Sequence, residues 1–227
     1  MAKTTLWRVR IGVAIGIVAL CTLGAITEDV VNHDPLTQFD TTVLESLHRR
    51  ATPLGLTVFD AVSRLGSPAA MTVLALGGIL LLAARRQWIV LGGWVVAFSG
   101  AGLIDHWLKA AIHRPRPPYA TALLQHSSWS FPSGHAMGSL VGFGMLAYVL
   151  LLIGPRTRRF RLLIVTGLAL LILAIGVSRL YLGVHYFSDV VGGYAAGLLW
   201  LSACVSAVEL ARRWQRHRRV LTLNPTS

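Results

Sequence analysis

Six apolar stretches dominate this chain of 227 residues, at roughly 7–26, 68–84, 88–110, 134–153, 161–177 and 189–210. A helix of about 20 residues is what a hydrocarbon core of about 30 Å requires. In lipid every backbone N–H and C=O must be satisfied within the segment, and a lone apolar stretch can do that only as a helix. The expected fold is therefore all-α: a polytopic membrane protein built as a six-transmembrane-helix bundle. Composition agrees, with 54% hydrophobic and only 13% charged residues, against about 25% charged in an ordinary soluble domain. The formal net charge of +12 could suggest a nucleic-acid partner. That reading needs basic residues interleaved with polar and aromatic ones on a soluble domain. Here they form short clusters between apolar runs, as membrane flanks do, so no nucleic acid is expected. Cys21 and Cys204 each lie within an apolar run and read as small buried hydrophobes.

Lys3, Arg8 and Arg10 precede an apolar run from residue 11 to 26 that resembles a signal peptide. Leu23-Gly24-Ala25 is a poor cleavage site, so the run is expected to remain as the first transmembrane helix. Loop charges set the orientation. One side gathers Lys3, Arg8, Arg10, Arg85, Arg86, Arg156, Arg158, Arg159, Arg161 and the cluster from Arg212 to Arg219. The other has Arg49, Arg50 and Arg64 plus basic residues in three polar motifs. The first side is expected to be cytoplasmic, with both termini inside, and the arginine cluster near the C-terminus reads as an anchor to anionic lipid. The first external segment, 27–67, collects Glu28, Asp29, Asp34, Asp40, Glu45 and Asp60. Its apolar residues Phe39, Val43, Leu44 and Leu47 recur at helical spacing, which predicts amphipathic helices lying at the outer interface. No internal repeat or second domain interrupts residues 1–227, which read as a single membrane domain.

All three polar motifs fall on the expected outer side. The first runs from Lys109 to Pro117 and contains Arg116; the second is Pro132-Ser133-Gly134-His135; the third runs from Ser178 through Arg179 and His185 to Asp189. Lys109, Arg116 and Arg179 sit at ends of membrane helices, where a charge is costly unless it faces a polar cavity or a ligand. Arginine's planar fork matches phosphate oxygens, and lysine adds a point charge. Lys109 is one of only two lysines in the chain. Ser133 is a good N-cap, Gly134 lets a backbone approach a ligand, and the free N–H groups of a helix start attract anions. His135 follows in the first turn. His185 and Asp189 are four apart, so on a helix they share a face and the carboxylate can fix the ring's tautomer. One ring nitrogen would then be free to attack. Two histidines, an orienting carboxylate and three cations describe a phosphoryl-transfer site, one His as nucleophile and one as acid.

These spacings, Lys-x6-Arg-Pro, Pro-Ser-Gly-His and Ser-Arg-x5-His-x3-Asp, resemble those of the type 2 phosphatidic acid phosphatase (PAP2) family. The motif region covers 109–189, and the six spans extend the likeness over nearly the whole chain. The resemblance implies catalytic roles for three residues: His185 as the nucleophile that becomes a phosphohistidine, Asp189 as its orienting partner, and His135 as the acid that protonates the leaving oxygen. It implies a phosphate cradle of Lys109, Arg116, Ser133, Gly134 and Arg179, and no metal or other cofactor. Within that family the short chain, with few elaborations, suits a bacterial cell-membrane member, and the loop charges predict a site on the outer face. The substrate would be a phospholipid or polyprenyl (di)phosphate, such as undecaprenyl diphosphate, phosphatidylglycerophosphate or phosphatidic acid. The same chemistry could pass phosphate to a hydroxyl, making a phosphotransferase. A vanadate haloperoxidase is disfavoured by the six spans, and a non-catalytic lipid carrier by the presence of both histidines and Asp189. The sequence does not give the oligomeric state.

Structural roles compete for the same residues. Cations at helix ends can snorkel to the interface, and Asp189 can cap a helix while it orients a ring. Asp105, four before Lys109, reads as a clamp on that lysine. Arg114 reads as a contact for an anionic substrate or headgroup. His106 and His113 read as bystanders, and His33, His48, His126 and His217 as loop or interface residues.

Overall fold

A computed structural model describes residues 2–32, 35–120 and 128–223. Within these residues there are eight helices and no strands: α1 (Ala2–Asn32), α2 (Pro35–Arg49), α3 (Pro53–Arg64), α4 (Pro68–Ala84), α5 (Trp88–Ile112), α6 (Gly134–Ile153), α7 (Arg158–Tyr181) and α8 (Phe187–Leu223). Six helical stretches are long and apolar enough to cross a membrane, with α3 and α4 forming one of them. His33, Asp34 and His126 lie outside the described residues.

Helix ends follow local chemistry. Thr52 and Ser67 accept hydrogen bonds from the N–H of Gly55 and Ala70, and Pro53 and Pro68 open the first turns of α3 and α4, where a missing N–H costs nothing. α5 stops at His113, which adopts a left-handed conformation (φ 53°), two residues before Pro115. α7 ends ahead of Gly183 at φ +65°, a value that glycine alone adopts at little cost. Spans 68–84 and 134–153 end where hydropathy does. α1, α5, α7 and α8 run further, because hydropathy marks the lipid-facing length while helical backbone continues into polar sequence until a breaker intervenes.

α8 is the central helix, packed against α1, α5 and α6. The apolar core gathers Leu82 of α4, Val90, Trp94, Ala97 and Ala101 of α5, Met137, Val141, Met145 and Val149 of α6, and Ala196, Cys204 and Val208 of α8. Cys204 is thus a buried core residue, whereas Cys21 is exposed. One packing device occurs twice. The Trp94 ring lies over Gly78, where a Cβ would sit 2.2 Å from it, and its indole N–H donates to the Ala75 carbonyl at 3.0 Å. The Trp200 ring lies over Gly100 at the same 2.2 Å, donating to the Ala97 carbonyl at 3.0 Å. Glycine lets the facing helix approach, as small residues do in membrane bundles, and the indole finds a polar partner in an apolar setting.

α2 and α3 are the amphipathic helices expected in the first external segment. α3 packs along α7, and α2 against α7 and α8. The buried face of α2 differs from expectation. Leu44 is buried, but Phe39 is half exposed, and its neighbour Asp40 is only 1% exposed.

Candidate active site

Four helix ends meet at one end of the bundle. They are the C-terminus of α5 with residues 113–117, the N-terminus of α6, the C-terminus of α7 and the N-terminus of α8. Each motif therefore sits where a membrane helix starts or stops, with its polar groups at the edge of the apolar core.

His185 and Asp189 come together, though not on one face of a helix. The helix α7 has already ended, and the turn at Gly183 carries His185 just ahead of α8, while Asp189 lies in the first turn of α8. The Asp189 Oδ2 lies 3.4 Å from His185 Nδ1 and accepts the Tyr186 backbone N–H at 2.8 Å. The carboxylate thus caps its helix in the reach-back manner of a capping box and orients the ring at once. Ser130 donates to the same oxygen at 2.5 Å. Both side chains are buried, His185 at 2% and Asp189 at 0% exposure.

Arg116 fixes the tautomer. Its Nη1 lies 3.2 Å from His185 Nε2 and 3.0 Å from the Val184 carbonyl. A guanidinium can only donate, so Nε2 carries the lone pair and Nδ1 carries the proton, facing Asp189. Burial pushes the His185 ring down to about 4. The hydrogen bond and charge of Asp189 oppose that shift, and Arg116 and Arg179 add to it. The ring is neutral near pH 7, and the in-plane lone pair on Nε2 faces Arg116.

The cations divide into two kinds. Lys109 Nζ is held by both oxygens of Asp105, at 2.6 and 2.7 Å, the clamp that the four-residue spacing predicts. Both lie against Gly134, where a Cβ would meet Asp105 Oδ2 at 3.1 Å and Lys109 Nζ at 3.2 Å. Arg116 bonds Ser128 through its backbone carbonyl at 3.0 Å and its hydroxyl at 2.8 Å. Arg179 donates to the Ser63 hydroxyl of α3. Among the described residues neither Arg116 nor Arg179 has a carboxylate partner. Burial lowers the pKa of Arg116, partly offset by Asp189 and Asp105. Its charge is therefore under-compensated, a condition that a bound anion relieves.

Two buried polar atoms among the described residues lack hydrogen-bond partners: Ser133 Oγ and Arg179 Nε. Ser133 stands at the N-cap of α6 yet makes no side-chain cap bond, which leaves the first N–H groups of α6 uncapped. His135, half-buried in the first turn, has no hydrogen bond to a described residue, and the charges nearest it include those of Arg179, Lys109 and Arg116. Uncapped N–H groups, an idle hydroxyl, two unmatched guanidinia and a neutral imidazole lone pair together suit a tetrahedral oxyanion.

Arg114 corrects its expected role. Its Nη1 bonds Asp189 Oδ1 and Ser188 Oγ, each at 2.6 Å, and its Nη2 bonds Asp40 Oδ2 at 2.7 Å. The guanidinium also lies 4.3 Å over the Tyr186 ring. Burial opposes its charge, but Asp189 and Asp40 outweigh it and raise its pKa above the usual value. Three of its five N–H donors go to Ser188, Asp189 and Asp40, which ties Arg114 into the protein's own charge network. His113 packs edge-on against Trp129, and His48 stacks on Tyr119, so both are packing residues. Sequence reasoning missed Asp40, Ser63, Ser130 and Ser188. Only Asp40 left a signal: it lies four residues before Leu44, on the face that α2 buries, where an acid needs a partner.

A protein-family model described as the PAP2 superfamily matches residues 88–213. Phosphatidylglycerophosphatase B of Bacillus subtilis is 36% identical over 105 residues, 46% of this chain and 51% of that protein. The chain thus matches about half the length of that relative. Decaprenylphosphoryl-5-phosphoribose phosphatase of Mycobacterium tuberculosis is 35% identical over 150 residues, 63% of this chain and 73% of that one. The crystal structure of a transmembrane PAP2-type phosphatidylglycerolphosphate phosphatase from Bacillus subtilis superposes with a TM-score of 0.70 at 26% identity, covering 86% of this chain and 94% of the other.

Proposed function

The chain belongs to the PAP2 superfamily, and from that premise we propose that it is a membrane lipid phosphatase acting through a phosphohistidine. The observation that carries this reading is the set of unmet polar groups around His185: Ser133 Oγ, Arg179 Nε and the uncompensated Arg116. They suit a phosphate that presents three oxygens to donors and its phosphorus to the lone pair on Nε2.

In this reading Nε2 of His185 forms a bond to phosphorus as the bond to the lipid oxygen breaks. His135 gives that oxygen its proton. Asp189, across from Nδ1, stabilises the charge that the ring gains. Water then attacks the phosphohistidine and yields a proton to His135, the N–P bond breaks, and orthophosphate leaves with His185 restored. Arg116, Arg179, Lys109, Ser133 and the Gly134 backbone hold the transferring group. No metal ion is part of the scheme. The substrate is a lipid phosphate or diphosphate, with phosphatidylglycerophosphate and polyprenyl-linked sugar phosphates favoured by the names of the similar proteins. Loop charge supports a site at the outer face with both termini in the cytoplasm, and the bacterial relatives support a bacterial cell membrane.

The test is phosphate release by purified protein in detergent. Phosphatidylglycerophosphate, undecaprenyl diphosphate and phosphatidic acid are each supplied with EDTA, beside the H185A variant. Release that survives EDTA and vanishes in H185A supports the reading. Folded wild-type protein that releases no phosphate from any lipid sinks it.

A further inference from the structure

Asp40 stands apart from the three motifs in sequence, yet it is 1% exposed and at the heart of their polar network. It comes from α2, an amphipathic helix on which Gln38, Thr41, Thr42, Glu45 and Arg49 are exposed. An acid taken out of water this completely is stable only when paired and hydrogen-bonded, and every Asp40 bond leads towards the site. Its Oδ1 accepts the Ser188 backbone N–H at 2.9 Å, a donor at the start of α8 that has no partner within the helix. Its Oδ2 accepts the Ser188 hydroxyl and Arg114 Nη2, the latter at 2.7 Å. The other arm of the Arg114 fork holds Asp189 Oδ1 at 2.6 Å, and the remaining oxygen of Asp189 faces His185 Nδ1. Four side chains from three parts of the chain thus form one line: Asp40, Arg114, Asp189, His185.

We infer that Asp40 is a positioning residue for turnover, acting through Arg114 and Asp189 to hold the His185 ring in its reactive orientation. The inference rests on His185 being the nucleophile. Two physical effects support it. The guanidinium is planar, so fixing one arm on Asp40 sets the angle at which the other meets Asp189. Asp40 also takes half of the Arg114 charge. Without it, the full charge falls on Asp189, which then accepts more weakly from Nδ1–H. Asp40 touches no open part of the site, so substrate binding is not its task. The first external segment is in this way tied to the chemistry of the distant motifs.

The experiment is a double-mutant cycle on steady-state phosphate release with phosphatidylglycerophosphate in detergent, using D40N, R114Q, the double variant and D40E. Folding is checked by size-exclusion profile and Tm. D40N should lower kcat by about 10- to 100-fold, the range for groups that orient a reacting side chain, with KM changed less than about three-fold. D40N and R114Q should be non-additive, the double variant losing no more than the worse single one. D40E, which keeps the charge but shifts the fork, should recover part of kcat. A kcat for D40N within about two-fold of wild type, losses that multiply in the cycle, or an effect on KM alone would each overturn the proposal. Failure of both Asp40 variants to fold would overturn it too, in favour of a purely structural acid. Wild-type release that is lost in H185A but untouched in D40N would leave the phosphohistidine reading standing and remove this one.

Discussion

The helices α6 and α8 carry a buried polar cluster at each end, and the two clusters are built on opposite principles. At the far end Tyr148 of α6 donates to Glu209 of α8 at 2.9 Å, and Arg212 donates to the Tyr148 hydroxyl at 3.3 Å while lying 3.6 Å from Glu209. Acid, base and hydroxyl satisfy one another there. At the near end the same helices supply Ser133, His135 and Asp189. There the Asp40–Arg114–Asp189 line is closed in the same way, but Ser133 Oγ and Arg179 Nε have no partner among the described residues. A buried polar group normally finds a partner, because leaving it unmet costs about 1–3 kcal/mol. A closed cluster therefore fastens helices, and an open one marks where a ligand completes the set.

Four measurements can break or sharpen that contrast. The largest effect is expected from H185A, which removes the imidazole that lies between Arg116 and Asp189. It should cut turnover by about 10⁴-fold or more while the protein stays folded, and any residual phosphoenzyme would contradict it. H135A should cost about 10²- to 10⁴-fold on lipids with poor leaving groups and much less on an activated aryl phosphate. Equal losses across a leaving-group series would remove the acid role. R179A, which empties one unmatched position, should lower kcat/KM by about 10²- to 10³-fold with little change in Tm. A large fall in Tm instead would class Arg179 with the fasteners. Y148F at the closed end should do the reverse. It strips a buried carboxylate of a donor, so it should destabilise by about 1–3 kcal/mol and leave kcat/KM within about two-fold.

Acid supplies a fifth test. The His185 pKa is depressed to about 4, so the neutral form that the proposed attack requires prevails above that pH and is lost as pH falls through it. On an activated aryl phosphate, which needs no proton from His135, kcat/KM corrected for the ionisation of the substrate phosphate should hold from neutral pH down to about 5 and decline near 4. A decline centred near 6.5, the ordinary histidine value, would mean that water reaches the ring.

Much of this was legible in the chain before folding. Hydropathy marked the crossing helices because a lipid environment leaves a segment no alternative to satisfying its own backbone. The Lys109–Asp105 clamp was legible because both residues share one helix, where spacing fixes contact. His185 and Asp189 were matched correctly for an incorrect geometric reason, since a turn at Gly183 and a reach-back cap bring them together rather than a shared helical face. Arg114 was misjudged because its partners lie far away in sequence, Asp40 at 74 residues and Asp189 at 75.

The sequence by itself determined the elements and the chemistry on offer: which segments enter lipid, which helix ends hold cations and histidines, and which local pairs must touch. Only the tertiary structure decided how those charges were spent. Asp40 lies 148 residues from Ser188, and no local spacing could say that it would neutralise Arg114 and leave Arg116 and Arg179 unmatched. Local interactions are fixed by backbone geometry over a few residues. The division of a buried charge network depends on which helix ends the packing of the bundle brings within hydrogen-bonding distance.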